Sequence, residues 1–295
     1  MAVHVLTKNL VSTLRHKHRI DFSATIEVEL RALQDRFVVE LFDAAIDPQD
    51  VTILEESDIV AAVNDYLKSA KTNVLSCDDV FGRSSGNPLV HNLDLSRIMY
   101  SFQDRTFGMS ERHPFPPSAS QFADSKSTLL SRGEALDCTI YDLGIYGGRF
   151  MAGVVELALK FGFKVNTVAT CITRQRGLDR LKKRFDGLGI AFETLRVEFD
   201  EGWDELRDII GLHGFLVDSN SSQIAASDAD YGYIPYEEII SWFSLPLKNA
   251  GKFREVCRFY RDELNRLFAR ESLKVTISPV GKHEDVLVYA LKKLE

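Results

Sequence analysis

The chain has 295 residues, 45% of them hydrophobic, which is enough for one large core or two modest domains. Its 36 basic and 43 acidic residues leave a net charge of −7. That balance argues against broad, nonspecific nucleic-acid binding but leaves room for a local basic patch.

The N-terminal stretch MAVHVLTKNLVSTLRHKHRI lacks the apolar core and small-residue cleavage site of a secretory signal. No apolar run reaches the roughly 18 residues of a membrane span, so a cytoplasmic protein is expected. None of Cys77, Cys138, Cys171 and Cys257 forms a CxxC pair, which leaves structural zinc and thioredoxin chemistry unsupported. Cys138 and Cys171 lie in apolar runs and read as small core residues.

Residues 1–70 read as a mainly helical N-terminal region. DFSATIEVELRALQDRFVVELF opens on a cap, Asp21 or Ser23, and carries apolar residues at three- and four-residue spacing. Asp47-Pro48-Gln49 marks a turn before a second helix in EESDIVAAVNDYLKSA. SCDDVFGRSSGNP supplies a loop, and LVHNLDLSRIMYSF holds a strand or a short helix. The stretch from Arg112 to Thr128 is rich in proline and serine and reads as a long loop or lid.

From Cys138 to residue 200 the pattern sharpens. CTIYDLG, FKVNTVATCIT and IAFETLRVEF are strand patterns; RFMAGVVELALKFG and GLDRLKKRFDGLG between them are helical. This β-α-β-α-β order predicts an α/β fold with a mostly parallel sheet, flanking helices and helical elaborations. WDELRDIIGLHGF reads as a further helix and short strand. SNSSQIAASDADYGYIPYEEI is loop-rich, and PLKNAGKFREVCRFYRDELNRLF is a helix. LKVTISPV and DVLVYAL are late apolar segments. Residues 71–220 are expected to form the α/β core, and 221–295 a C-terminal α+β extension that either joins it or stands apart.

The stretch Thr139–Phe150, TIYDLGIYGGRF, is the most informative. An apolar strand closes on Asp142, and a loop with Gly144, Gly147 and Gly148 leads into a helix. In a parallel sheet that junction lies at the carboxyl edge, where ligands bind. Glycines let backbone N–H groups approach an anion, and the helix start adds unsatisfied N–H groups and a positive dipole end. No GK[ST] follows, so the nucleotide P-loop fails, and the glycines do not fall as GxGxxG. DLGIYGG resembles the first motif of S-adenosylmethionine-dependent methyltransferases, but the acid that family places at the end of the next strand is absent from VNTVATCITRQ.

Tyr141 to Arg149 also resembles the phosphate-site motif of the type I phosphoribosyltransferases, with Asp142 on its second acid and Gly147-Gly148 on its glycines. Tyr141 stands in place of the first acid. Ile145, Tyr146 and Arg149 replace the usual hydroxyl residues. The stretch TRQRGLDRLKKRFDGLGIAFETLRV is similar to the orotate branch of that family, carried by Arg174, Gly177, Leu181, Gly189, Ile190 and Leu195.

This resemblance implies a phosphoribosyltransferase-like core that binds phosphoribosyl pyrophosphate or a related sugar phosphate and, as an enzyme, transfers phosphoribosyl to a base. It implies magnesium. Asp142 would orient the ribose. Gly144, Tyr146, Gly147, Gly148, Arg149 and Arg174 would hold the ligand, and Arg112 and Lys126 on a closing loop would meet the departing pyrophosphate. Gly82, Arg83, Ser84, Ser85 and Gly86 are candidates for the pyrophosphate side, with Asp78 and Asp79 near magnesium. His113, Arg176, Tyr231, Tyr233 and Tyr236 are further candidates. The altered acid pair keeps open a non-catalytic regulatory or interaction role and a homo-oligomer.

Overall fold

In chain order the computed structural model contains β1 (His4–Thr7), α1 (Leu10–Ser12) running into a π-helical turn (Thr13–Lys17), α2 (Ala24–Ala44), β2 (Val51–Leu54), α3 (Glu56–Ser69), β3 (Asn73–Ser76), α4 (Phe81–Ser84) and β4 (Val90–Asn92). There follow β5 (Leu95–Ser101), β6 (Thr106–Glu111), α5 (Ser118–Ser131), β7 (Asp137–Ile145), α6 (Arg149–Lys160), β8 (Lys164–Arg174), α7 (Gln175–Arg184) and β9 (Ala191–Phe199). Short strands β10 (Trp203–Glu205), β11 (Gly214–Asp218) and β12 (Tyr231–Pro235) precede the helix α8 (Ala250–Arg270). The structure describes residues 4–17, 20–45, 51–101, 106–111, 116–200, 203–205, 214–218, 231–235 and 249–271. The expected turn at Asp47-Pro48-Gln49 and the late segments LKVTISPV and DVLVYAL lie outside them.

The chain divides into two units, one of residues 1–56, 99–106 and 201–295, the other of 57–98 and 107–200. In the first, β1 is the middle strand of a three-stranded parallel sheet in the order β10-β1-β2. The segment beginning at Trp203, expected to start a helix, instead lies parallel to β1, Val5 opposite Trp203. Ser23 is the cap of α2, its hydroxyl accepting from the Ile26 N–H. α2 packs on α8 through Phe37 and Tyr260, ring centroids 4.8 Å apart. Arg270 of α8 pairs with Glu29 of α2.

The second unit carries the parallel sheet that the sequence pattern called for. Its strand order is β4-β3-β7-β8-β9, all parallel. α5, α6 and α7 lie side by side over one face. Their apolar residues Phe122, Val154, Val155, Ala158 and Leu181 close on Cys138, Ile140, Val165 and Val168 of the strands. All four cysteines are buried and none forms a disulfide, in keeping with the core role expected for Cys138 and Cys171. α3 covers the opposite face: Tyr66 sits 6.4 Å from the ring of Tyr141 and donates to the Glu193 carboxylate at 3.1 Å.

Burial and then the Glu193 charge push the Tyr66 phenol up to about 12. A phenol raised above its unfolded value of about 10 stabilises the fold in full below that pH and loses the contribution as pH rises through the folded value. The melting temperature of the wild type is therefore expected to fall more steeply between pH 10 and about 12 than that of Tyr66→Phe. Parallel pH slopes for the two proteins would refute the assignment.

From Ser118 onward the proline- and serine-rich stretch is not a loop, and its residues 112–115 lie outside the described ones. Ser118–Ser131 is a regular helix, entered from Pro117, with Phe122 and Leu129 buried. Phe122 is flanked by Phe161 and Phe163, centroids 6.0 and 6.2 Å away. Proline before a first helical turn is compatible with a helix start, and the seven-residue spacing of the two buried side chains is two helical turns. Among the described residues no helix is long and apolar enough to cross a membrane.

Candidate functional site

In sheet order β3 comes second, and the chain steps outward from it to β4 before returning to β7. The neighbours β3 and β7 therefore form the switch point at which parallel sheets open a crevice beyond their carboxyl ends. Ser76, the last residue of β3, pairs with Tyr141, whereas β7 runs on to Ile145.

The strand is thus longer than the sequence suggested. Asp142 does not end it, and Gly144 is no loop residue: it pairs within the sheet with Ile172. Asp142 is the first β7 residue beyond the pairing with β3, and it is half-buried. Its carboxylate accepts from the Leu143 N–H at 2.9 Å. Tyr141, in place of the family's first acid, is fully buried under α3. It serves the core and does not face the edge.

The turn proper is Tyr146-Gly147-Gly148, and Arg149 is the first residue of α6. Gly148 has φ 75°, a left-handed conformation that favours glycine. A Cβ on it would meet the Gly177 carbonyl oxygen at 2.6 Å. Reciprocally, a Cβ on Gly177 would fall 2.1 Å from the Tyr146 carbonyl oxygen. Glycine on both sides lets the turn after β7 rest directly on the first turn of α7.

This contact gathers arginines. Arg149 begins α6, Arg174 closes β8 and caps α7, and Arg176 and Arg180 lie one turn apart on α7. Neither helix has an acid in its first turn. Arg180 Nη1 donates to the Gly147 carbonyl at 3.1 Å, bridging the two helix starts. Desolvation, then the charges of Arg176, Arg149 and Arg174, lower the Arg180 pKa. The four are near enough to repel one another, the electrostatic condition that an anion relieves. Arg174 Nε also donates to the Asp200 carbonyl, and Asp179 accepts from Gln175 Nε2. The sequence pattern singled out Arg174 and Arg176 but missed Arg180, whose signal was its i+4 spacing from Arg176.

Other candidates lie elsewhere. Lys126 is on α5 with its ammonium beside Gly162, where α6 gives way to the amino end of β8. That is the opposite edge of the sheet from the glycine turn, so Lys126 does not meet a ligand held there. Arg112, His113 and Tyr236 lie outside the described residues. Tyr231 and Tyr233 belong to β12, not to a loop.

The segment 78–86 also reads differently. Asp78 is buried, and its carboxylate accepts from the N–H groups of Val80, Phe81 and Gly82 at 3.0–3.1 Å. Of the segment expected to cradle pyrophosphate, the Gly82 amide is thus taken by the protein's own carboxylate. Arg83 pairs with Asp94, and Ser85 Oγ accepts from Asn87 N. Gly86 stands beyond α4, and Ser84 ends it. Asp79 is buried as well, so the pair is not the exposed surface acids that such a run usually makes. Three amide N–H groups already occupy most of the acceptor capacity of the two Asp78 carboxylate oxygens. Among the described residues no three or more His, Cys, Asp or Glu gather as a metal site. Magnesium binds through one or two carboxylates together with ligand phosphates, and Asp142 is the half-buried acid beside the turn's own strand.

No protein-family model matches the chain, and no curated protein matches it.

Proposed function

We propose that this protein binds phosphoribosyl pyrophosphate or a related sugar phosphate at the carboxyl edge of the parallel sheet. The observation that carries the reading is the Tyr146–Gly148 turn, pressed against α7 by paired glycines and surrounded by Arg149, Arg174, Arg176 and Arg180. Guanidinium groups match phosphate oxygens in geometry and charge. Backbone amides at the start of α6 add donors for the same anion.

The half-buried Asp142, at the level where β3 stops, supports the role of ribose-hydroxyl acceptor. Magnesium enters as the counter-ion of the ligand's phosphates. The arginines favour this reading over a methyltransferase one, since Arg174 occupies the strand end where that family needs an acid.

The test is calorimetry with phosphoribosyl pyrophosphate, with and without magnesium, and with S-adenosylmethionine as the contrasting ligand. Binding of the sugar phosphate alone is expected. Absence of heat with any sugar phosphate at millimolar concentration would remove the proposal. Asp142→Asn keeps size and loses the anionic acceptor. It is expected to weaken binding about 10- to 100-fold, because charged hydrogen bonds contribute about 1.5–3 kcal/mol against roughly 1 for neutral ones. Unchanged affinity in a folded variant would sink the ribose role.

Turnover is a separate measurement. Pyrophosphate release with a panel of bases would establish a transferase, and binding without release would establish a regulatory role.

A further inference from the structure

We infer that the ligand carries two phosphate groups, and that the second is held at the start of α7 by Arg176 and Arg180 rather than by the segment 82–86. The inference rests on the reading of the glycine turn as a phosphate site and adds to it where the remaining charge goes.

Two observations disfavour the earlier segment. The Val80, Phe81 and Gly82 amides already bond the Asp78 carboxylate, and Arg83 is paired with Asp94. An anion there would have to displace a buried carboxylate and then lie beside it, which like-charge repulsion disfavours.

The α7 side has the opposite character. Arg176 and Arg180 are exposed, and among the described residues neither is ion-paired with a carboxylate. Both stand in the first two turns of a helix that begins without an acid, so the helix dipole adds to their charge. Arg180 is fastened to the Gly147 carbonyl, which fixes its guanidinium at the border between the turn and α7. One phosphate monoester brings roughly two negative charges and three acceptor oxygens. Four arginines and two helix starts exceed what it needs. A diphosphate or bisphosphate spans both groups, one phosphate on the turn and Arg149, the other on Arg176 and Arg180.

The basic run continues as Lys182, Lys183 and Arg184, so a nucleic-acid backbone is the competing polyanion. Arg184 is paired with Glu156, and the chain's net charge of −7 opposes an extended phosphate track. A compact ligand fits better.

The experiment is calorimetry on the full chain with inorganic phosphate, ribose 5-phosphate, pyrophosphate and a short single-stranded oligonucleotide. The proteins are the wild type, Arg176→Ala and Arg176→Ala/Arg180→Ala, each accompanied by a thermal melt. Pyrophosphate is expected to bind at least about tenfold more tightly than phosphate, the effect of one added charge-assisted contact. The double variant is expected to lose that advantage, with its loss for pyrophosphate at least about fivefold larger than its loss for ribose 5-phosphate. Arg176→Ala leaves the Arg180–Gly147 bond in place, so it decides the matter if the double variant unfolds; a loss about fivefold larger for pyrophosphate than for ribose 5-phosphate is expected of it. Equal binding of phosphate and pyrophosphate would overturn the second-phosphate inference and leave the turn site standing. No binding of any phosphate would overturn both. An oligonucleotide that binds more tightly than pyrophosphate, and is lost in the same variants, would replace the small ligand with nucleic acid.

Discussion

Gly177→Ala is expected to destabilise the protein by about 2–3 kcal/mol, within the range for overpacking a close contact. The added methyl would stand 2.1 Å from the Tyr146 carbonyl oxygen, 2.9 Å from Ile145 Cγ2 and 2.9 Å from the Tyr146 carbonyl carbon. Two of the three are backbone atoms and have no rotamer by which to move aside. Helix propensity works the other way, since alanine favours a helix over glycine by up to about 1 kcal/mol. The clash is the larger effect, so the net sign is destabilising. At roughly 2–4 °C per kcal/mol the melting temperature is expected to drop by about 4–12 °C. Sugar-phosphate binding would weaken in step, because the same shift moves the turn off α7. A melting temperature equal to or above wild type would show that the close approach of turn and helix is not as described.

Asp78→Ala is the second large effect, about 3 kcal/mol, because it strips three amide N–H groups of their acceptor. Removing a helix cap costs about 0.5–2 kcal/mol, and each buried donor left without a partner about 1–3 more, with water entry offsetting part of the sum. Asp78→Asn keeps one carbonyl oxygen of similar reach and is expected to restore roughly half the loss. A melt of the two variants beside wild type checks both statements. If alanine is tolerated without loss, the carboxylate is not what shapes this segment, and the case against a phosphate cradle at 82–86 falls with it.

The two variants mark what a one-dimensional reading can and cannot reach. The β-α-β-α-β run was legible because each segment carries its own period: apolar runs for β7 and β8, alternation for the edge strand β9, and a three-to-four-residue spacing for α6 and α7. The end of β7 was misjudged because Gly144 looks like turn chemistry, whereas β8 beside it supplies a pairing partner that local sequence does not show. α5 was hidden by composition. Serines and prolines suggested a loop, and the decisive fact, the burial of Phe122 among aromatic residues from the end of α6 and start of β8, is long-range. At the site, the glycine turn and Arg174 were visible as a motif. Gly177 was noticed only as part of a resemblance, since its close contact is with a turn some 30 residues earlier. The acids Asp78 and Asp79 read as candidates near magnesium because sequence does not reveal which amides fold back on Asp78.

The placement of β1 between β2 and β10 bears on how the chain is made. β1 and β2 are both synthesised within the first 54 residues, but β10 begins only at Trp203. At about 5–20 residues per second, the ribosome needs on the order of 10–30 s to cover that interval. Throughout it, one side of β1 presents unpaired N–H and C=O groups, the kind of edge on which chains aggregate. The five-stranded sheet of the second unit is by then complete in sequence, since β9 ends at Phe199. A chain truncated after Asp200 would thus retain every strand around the glycine turn and leave β1 permanently without its neighbour, so heterologous expression of such a fragment would be limited by solubility and not by the integrity of the phosphate-facing edge.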